Sequence, residues 1–428
     1  WALLVAAGGW ALDPQRLLSQ YRSQVWGTAE GLPSMSIAVI AQTPDGYLWV
    51  GTTEGLARFD GSRFVVFDRS NTPAFKLNEI RSLFVDRRGA LWVGFAGSGL
   101  VKFEDGAFVE VDSMERSVHW IGEDARGLWV AGLGGLWRRN GDAKDVMVLG
   151  VEKPSVSSAT FDGKGAIWLR MTDGRVMTER TPGAFETVNR PGRADQGEPS
   201  KIWLNAEGEV STFTSLIGWT WRSGHWERQP LQLPTGVGAG GNVLVDSDRV
   251  SWIGLYPSGG TARAKGDRVE VFAPQHPAAL GRFGPMLEDS EGNLWLGSWT
   301  HGLMRLSDGP MASWSTSEGL SSDGARTLLE GDDGTIWVGT TDGLNRISGT
   351  GVSWFRQPQP PAAQRAYNWF YAIATDGQGG LMLGTHAGLA RWSDGRIRKS
   401  PHLRNMPGGG VFSLLRAREG AIWAGAAA

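Results

Sequence analysis

Asp45-Gly46-Tyr47-Leu48-Trp49-Val50-Gly51-Thr52-Thr53-Glu54-Gly55-Leu56-Ala57-Arg58-Phe59-Asp60-Gly61 reads as turn, strand, turn, strand, turn. Gly46, Gly55 and Gly61 suit tight turns because glycine accepts positive φ. The unit Leu/Ile-Trp-Val/Leu recurs at Trp49, Trp92, Trp129, Trp168, Trp203, Trp252, Trp295 and Trp337; Met382 takes the Trp place in Gly380-Leu381-Met382-Leu383-Gly384, and Trp423 closes the series. The gaps are 43, 37, 39, 35, 49, 43, 42, 45 and 41 residues. A period near 40 with strand content and no competing helical period points to propeller blades.

One unit reads as four strands: Ile80–Val85, lining the channel; Leu91–Gly94, central; Leu100–Phe103; and Phe108–Val111, alternating apolar and polar as an outer strand does. The recurring Trp is expected to wedge between adjacent blades. Ten units exceed the four to eight blades of one ring. The lead-in Val25-Trp26-Gly27-Thr28-Ala29-Glu30-Gly31-Leu32-Pro33-Ser34 returns as Ser313-Trp314-Ser315-Thr316-Ser317-Glu318-Gly319-Leu320-Ser321-Ser322, just before the eighth unit. The fold expected is all-β: one seven-bladed β-propeller over residues 21–310, then the first three blades of a second, incomplete one over 311–428. Two segments compete to close the first ring by pairing with unit seven, Tyr21–Trp26 and Ala312–Ser315.

The 428 residues are 41% hydrophobic and 20% charged, which fits a water-exposed globular protein. The net charge of −2 and the lack of a Lys/Arg run argue against a nucleic-acid surface. There is no Cys, which excludes disulfides, thiolate metal sites and Cys nucleophiles. Trp1–Ala11 is uncharged and apolar, with Gly9 and Ala11 at small-residue positions before polar Asp13-Pro14-Gln15-Arg16. Residues 1–12 are expected to be the remnant of an export signal peptide, and the chain is expected to continue past its tenth unit.

Units four to six depart from the pattern. Trp203 is taken as the central-strand marker of unit five and Ile217–Gly224 as its third strand and turn, which makes Ala206–Leu216 an insertion between the second and third strands, either a neutral loop expansion or a loop on the face where repeat proteins often bind. That face carries the turns between second and third strands and the entries to the inner strands. Its candidate ligand-binding residues are Asn78, Glu79 and Arg81; His119 and Trp120; Trp299, Thr300 and His301; Arg326; Asn368 and Trp369; and His386. Ser298-Trp299-Thr300-His301-Gly302 is unusual, because an exposed Trp beside a His suits stacking on a sugar or another planar ligand.

Enzyme readings find little support. The Asp of Asp86–Gly89 and Asp289–Gly292 lies three residues before Gly, out of register with sialidase Asp boxes. Quinoprotein turns place Trp one residue later and often use a Cys pair. His119, His225, His276, His301, His386 and His402 show no ligand spacing. No catalytic residue, metal or cofactor is expected.

The pattern Asp-x-x-Gly-x-Leu-Trp-Val-Gly-Thr-x-x-Gly-Leu-x-Arg-Phe-Asp-Gly, best at Asp45–Gly61, Glu288–Leu306 and Asp332–Ile347, resembles the two-component regulator propeller repeat; so does Gly31-Leu32-Pro33-Ser34. The resemblance covers about residues 21–428. It implies an exported bacterial sensor: two propellers, a β-sandwich, one transmembrane helix, and a histidine kinase, diguanylate cyclase or DNA-binding output module. It implies a periplasmic location, inner-membrane attachment through a C-terminal helix beyond this chain, a small-molecule or glycan ligand and a homodimer. The alternatives are a secreted propeller lyase or hydrolase acting on glycans or lactones, and a protein-interaction scaffold.

Overall fold

The computed structural model describes residues 11–112, 116–140, 146–150, 155–189, 201–214, 217–233, 238–256, 259–266, 268–272, 278, 281–309, 313–349, 351–357, 368–400 and 409–427. The expected signal remnant lies outside them through residue 10, while Ala11 and Leu12 are buried. The chain forms two compact units. One holds the residues up to Pro14 with Tyr21–Asp308, the other Gln15–Gln20 with Gly309–Ala428.

The described residues form an all-β structure, a β-propeller of antiparallel sheets. Sheet 1 runs Ile37–Gln42, Leu48–Thr52, Leu56–Phe59 and Phe64–Phe67. The inner strands of sheets 2 to 7 are Ile80–Val85, Val118–Asp124, Val156–Phe161, Trp203–Leu204, Gly238–Val245 and Phe283–Glu288. Each sheet touches the next, and sheet 7 returns to sheet 1 through Phe283–Glu288 against Ile37–Gln42, so the first unit closes on itself. Arg22–Trp26 supplies the outer strand of sheet 7 by pairing with Leu303–Ser307. The competing segment forms no strand over its described residues 313–315. In the second unit, sheets 8 and 9 start at Ala325–Glu330 and Phe370–Thr375; sheet 10 is the pair Val411–Arg416 and Ile422–Ala426.

The Asp-Gly turns and the Trp marker act together. The indole of Trp92 donates to Asp86 at 2.8 Å, Trp168 to Asp162 at 3.1 Å, Trp252 to Asp246 at 2.8 Å and Trp295 to Asp289 at 2.7 Å. The other oxygen of each carboxylate accepts an amide four residues on, so one side chain fixes both turn and wedge. The indole then packs into the neighbouring sheet: Trp49 meets Phe103 at 4.9 Å, and Trp295 joins the sheet 1 core of Ile37, Val50 and Phe59. A cation on the third strand covers the ring, as Arg58 covers Trp49 at 5.8 Å, Lys102 Trp92 at 5.5 Å and Arg346 Trp337 at 5.8 Å. Where Met382 replaces Trp there is no ring, and Arg391 donates instead to Asp376 at 2.7 Å.

Sheet 5 corrects the sequence reading. Trp203 lies on the first strand, not the second, and Val210–Thr214 is the second strand. There is no insertion between second and third strands; Asn205–Gly208 is the ordinary first turn, with Asn205 accepting the Glu207 and Glu209 amides at 3.0 and 2.9 Å. Ser211 occupies the Trp position, bonded to Thr220 at 2.9 Å. A buried strand reading Val-Ser-Thr-Phe-Thr hides its apolar run behind hydroxyls satisfied by their neighbours.

The two lead-ins are structural turns. Thr28–Glu30 and Thr316–Glu318 are single 3-10 turns closed by Gly31 at φ 105° and Gly319 at φ 102°. Glu30 accepts the Gly27 amide at 2.6 Å and Glu318 the Ser315 amide at 2.7 Å. Leu32 and Leu320 are thereby driven into their cores.

Candidate ligand-binding site

One backbone hydrogen bond recurs on a single face of the sheets. The amide in the turn between second and third strands donates to the carbonyl just before the inner strand: Ala96 to Glu79 at 3.0 Å, Leu133 to Ser117 at 3.0 Å, Trp299 to Arg282 at 3.2 Å, Thr341 to Gly324 at 3.1 Å and His386 to Trp369 at 3.2 Å. This bond places turn residues and strand entries side by side. It also explains why, within each unit taken by itself, candidates scattered in sequence share one face.

Several inner-strand entries then carry a one-residue bulge. Pairing skips one residue between Ile80 and Ser82, between Val118 and Trp120, between Val156 and Ser158, between Ala325 and Thr327, between Phe370 and Ala372, and between Val411 and Ser413. The skipped residues are Arg81, His119, Ser157, Arg326, Tyr371 and Phe412. A bulge frees its extra residue from the alternation of the strand and re-aims the side chain.

In the first unit these residues are largely engaged by protein. Arg81 pairs with Glu79 at 2.6 Å. A ring nitrogen of His119 lies 2.7 Å from the Val156 carbonyl, on the next sheet. Trp120 packs on Phe161, ring centres 5.5 Å apart. Asn78 accepts the Arg69 amide at 2.9 Å and so clamps the crossing from the preceding sheet. Trp299 is 52% exposed, and its indole nitrogen lies 3.0 Å from the place a Cβ on Gly284 would take, so glycine there admits the ring. Thr300 and His301 bond each other at 2.7 Å in the same exposed turn. Asn242, near that indole, accepts from Lys201 at 3.0 Å.

The second unit brings three candidates together. The Arg326 guanidinium lies 5.2 Å from the Trp369 ring centre and 5.5 Å from that of Tyr371. His386 stands 6.1 Å from Trp369 and 6.5 Å from Tyr371. Phe412, 49% exposed, packs on Tyr371 at 4.6 Å. Asn368 stands apart: it is buried and accepts the Gln357 amide at 2.8 Å, the clamp that Asn78 makes in sheet 2. Tyr371 and Phe412, like Lys201 and Asn242, are absent from the sequence-based set. The signal for Tyr371 and Phe412 is their register: each is the second residue of an inner strand, as Arg81, His119 and Arg326 are.

Among the described residues, two clefts lie elsewhere. One of about 540 Å³ is lined by Asp86, Trp92, Glu123 and Arg139, another of about 750 Å³ by Asp162, Trp168, Glu179 and Arg222. Both open between neighbouring sheets beside the Asp-Trp turns, where splayed sheets leave a gap. In the second, Glu179 accepts from Arg126 at 2.6 Å and Arg222 donates to Glu209 at 2.7 Å. Among the described residues no group of three or more His, Asp or Glu is placed to hold a metal ion, and no helix is long and apolar enough to cross a membrane. His276 and His402 lie outside the described residues.

Residues 31–54 and 319–342 match the family described as Two component regulator propeller. Both matches begin on the left-handed glycine of a lead-in turn. No curated protein sequence matches the chain. Among solved structures, the extracellular domain of the hybrid two-component system BT3049 from B. thetaiotaomicron aligns with TM-score 0.65 and 18% identity, over 95% of this chain and 64% of that one. The corresponding domain of BT4673 gives 0.56 and 15%, over 95% and 57%. Virginiamycin B lyase from Staphylococcus aureus gives 0.55 and 13%, over 67% and 99%. The chain thus spans less than two thirds of these two extracellular domains. At these identities the likeness is one of fold.

Proposed function

Two-component regulator propeller repeats occur in both units, and on that premise we propose that this chain is the extracytoplasmic sensor region of a bacterial signal-transduction protein. The observation that carries the reading is the family match at 31–54 and 319–342, one in each unit. The fold shared with the extracellular domains of two-component systems supports it. The chain binds a small-molecule or glycan ligand on the face of the bulged strand entries. Binding favours one arrangement of the full-length protein, a homodimer held at the inner membrane. That bias passes to an output module outside this chain. The ligand moves the equilibrium only by its difference in affinity for the two arrangements.

Two measurements test this. Fusion of the chain, behind its native leader, to alkaline phosphatase reports export; an enzymatically silent fusion that is stably expressed overturns the extracytoplasmic placement. A thermal-shift screen of the purified chain against metabolites and glycans tests binding, since a ligand at a hundredfold excess over its Kd stabilises by about 2.7 kcal/mol. A screen without hits counts against a ligand sensor.

A further inference from the structure

The bulge position lets two arginines be compared in the same local frame. Arg81 and Arg326 are each the second residue of an inner strand, each skipped by the pairing and each exposed. Two residues before Arg81 stands Glu79, whose carboxylate takes the guanidinium at 2.6 Å. Two residues before Arg326 stands Gly324. Among the described residues Arg326 has no carboxylate partner and makes no hydrogen bond. What holds it is the pair of ring faces of Trp369 and Tyr371, at 5.2 and 5.5 Å. Stacking fixes a guanidinium plane and leaves its N–H donors unspent.

The groups around it are unspent as well. The Tyr371 hydroxyl and the His386 ring make no hydrogen bond to the described residues, although both lie beside the same indole. Phe412 extends the platform from the next sheet. Two neighbouring sheets thus deliver one cation, one hydroxyl and one imidazole, and a third adds Phe412, around a floor made of the half-buried rings of Trp369 and Tyr371 and the exposed ring of Phe412. Aromatic faces take a flat, partly apolar ring. A planar, permanently charged fork takes a carboxylate in two parallel hydrogen bonds. Neutralised by Glu79, the Arg81 entry lacks that capacity.

From this geometry we infer that Arg326, Trp369, Tyr371, His386 and Phe412 form a binding site for a small ligand with a flat ring face that carries a carboxylate. The inference rests on the ligand-sensing reading above and names its site and ligand chemistry. An aromatic acid and a uronic acid both present that chemistry.

Calorimetric titration of the purified chain separates the sources and tests the site. The probes are indole-3-acetate and glucuronate, each beside its uncharged counterpart, indole-3-acetamide or glucose. One carboxylate binds, and its uncharged counterpart binds at least about tenfold more weakly, the loss of one charge-assisted pair. R326Q weakens the carboxylate by about tenfold or more, whereas R81Q leaves it unchanged. F412A, at an exposed position that does not threaten the fold, weakens it several-fold. Raised ionic strength weakens binding of the wild type, because the pair is exposed. Equal binding of charged and uncharged probes, or full binding by R326Q, overturns the site. So does failure of both carboxylates to bind at millimolar concentration. A different ligand that binds with R326Q unimpaired leaves the sensor reading standing while removing this site from it. A silent export fusion removes the sensor reading and leaves the site to be judged by titration.

Discussion

The indole nitrogen of Trp252 donates to the carboxylate of Asp246 at 2.8 Å, and both side chains are buried. Asp246 also accepts the Val250 amide at 2.8 Å. Burial nevertheless dominates and lifts its pKa above the ordinary 3.8, with nearby Glu288 and Asp248 adding to the rise. The folded state therefore holds this proton more tightly than the unfolded chain does. The resulting stabilisation is complete below pH 3.8 and is lost as pH rises through the folded pKa. The difference in denaturation midpoint between wild type and D246N should decline steadily across that window. A difference that does not vary with pH would show that Asp246 titrates as it does in the unfolded chain.

Glu209 is expected to act with the opposite sign. Arg222 grips it with two hydrogen bonds, Nε to Oε1 at 2.8 Å and Nη2 to Oε2 at 2.7 Å. Those bonds hold its pKa below the ordinary 4.5, against a smaller opposing effect of burial. The stabilisation is present above pH 4.5 and lost as pH falls through the depressed value. Arg222 is 45% exposed, so solvent screens the pair and E209Q costs at most about 1 kcal/mol at neutral pH. Below the depressed pKa the variant and the wild type should unfold at the same denaturant concentration.

Trp49 and Trp203 look alike in sequence and differ in structure. Their surroundings show what the sequence reveals and what it hides. The repeat is legible because four Trp markers are tied to a turn Asp six residues before them, a purely local signal, as in Asp86 and Trp92, while Trp49 bonds Thr43 and Trp129 bonds Asp124 in the corresponding turns. Sheet 5 departs from that signal because its marker is Ser211, and Trp203 on the inner strand imitates one. With Ser211 as marker the spacings from Trp168 and to Trp252 are 43 and 41 residues, in place of 35 and 49. The bulge itself is not legible, since it arises from pairing between strands; only the place of a residue on its inner strand is. Tyr371 and Phe412 are therefore marked only by that place, whereas Arg326 is marked by its charge as well. The two Trp residues should therefore respond differently. Trp49 is 1% exposed and wedged against the next sheet, so W49A costs about 3–5 kcal/mol. W203F keeps the stack on Phe213, at 5.0 Å, and costs less than about 1.5 kcal/mol. Similar losses from both in urea denaturation would restore Trp203 to the wedge position.

Arg391 and Arg346 occupy the same place on neighbouring sheets, each across from the marker residue of its second strand. Their partners differ. Arg346 covers the Trp337 ring and reaches Asp333 only at 3.7 Å, with both ends exposed. Arg391 faces Met382 and bonds the nearly buried Asp376 at 2.7 Å. Asp376 sits below the ordinary carboxylate range: burial works against this, and the amides of Gln378 and Gly380 together with Arg391 outweigh it. Removing Arg391 leaves a carboxylate held out of water by two amides alone, because Met382 offers no indole donor. R391A should then cost about 1.5–3 kcal/mol, and R346A no more than about 1 kcal/mol. R391A should lose most of its excess cost when D376N is added, since the uncharged amide needs no cation. Equal losses for the two arginines, or a D376N background that leaves the R391A cost unchanged, would mean that Arg391 stabilises sheet 9 by packing rather than by replacing the missing tryptophan donor.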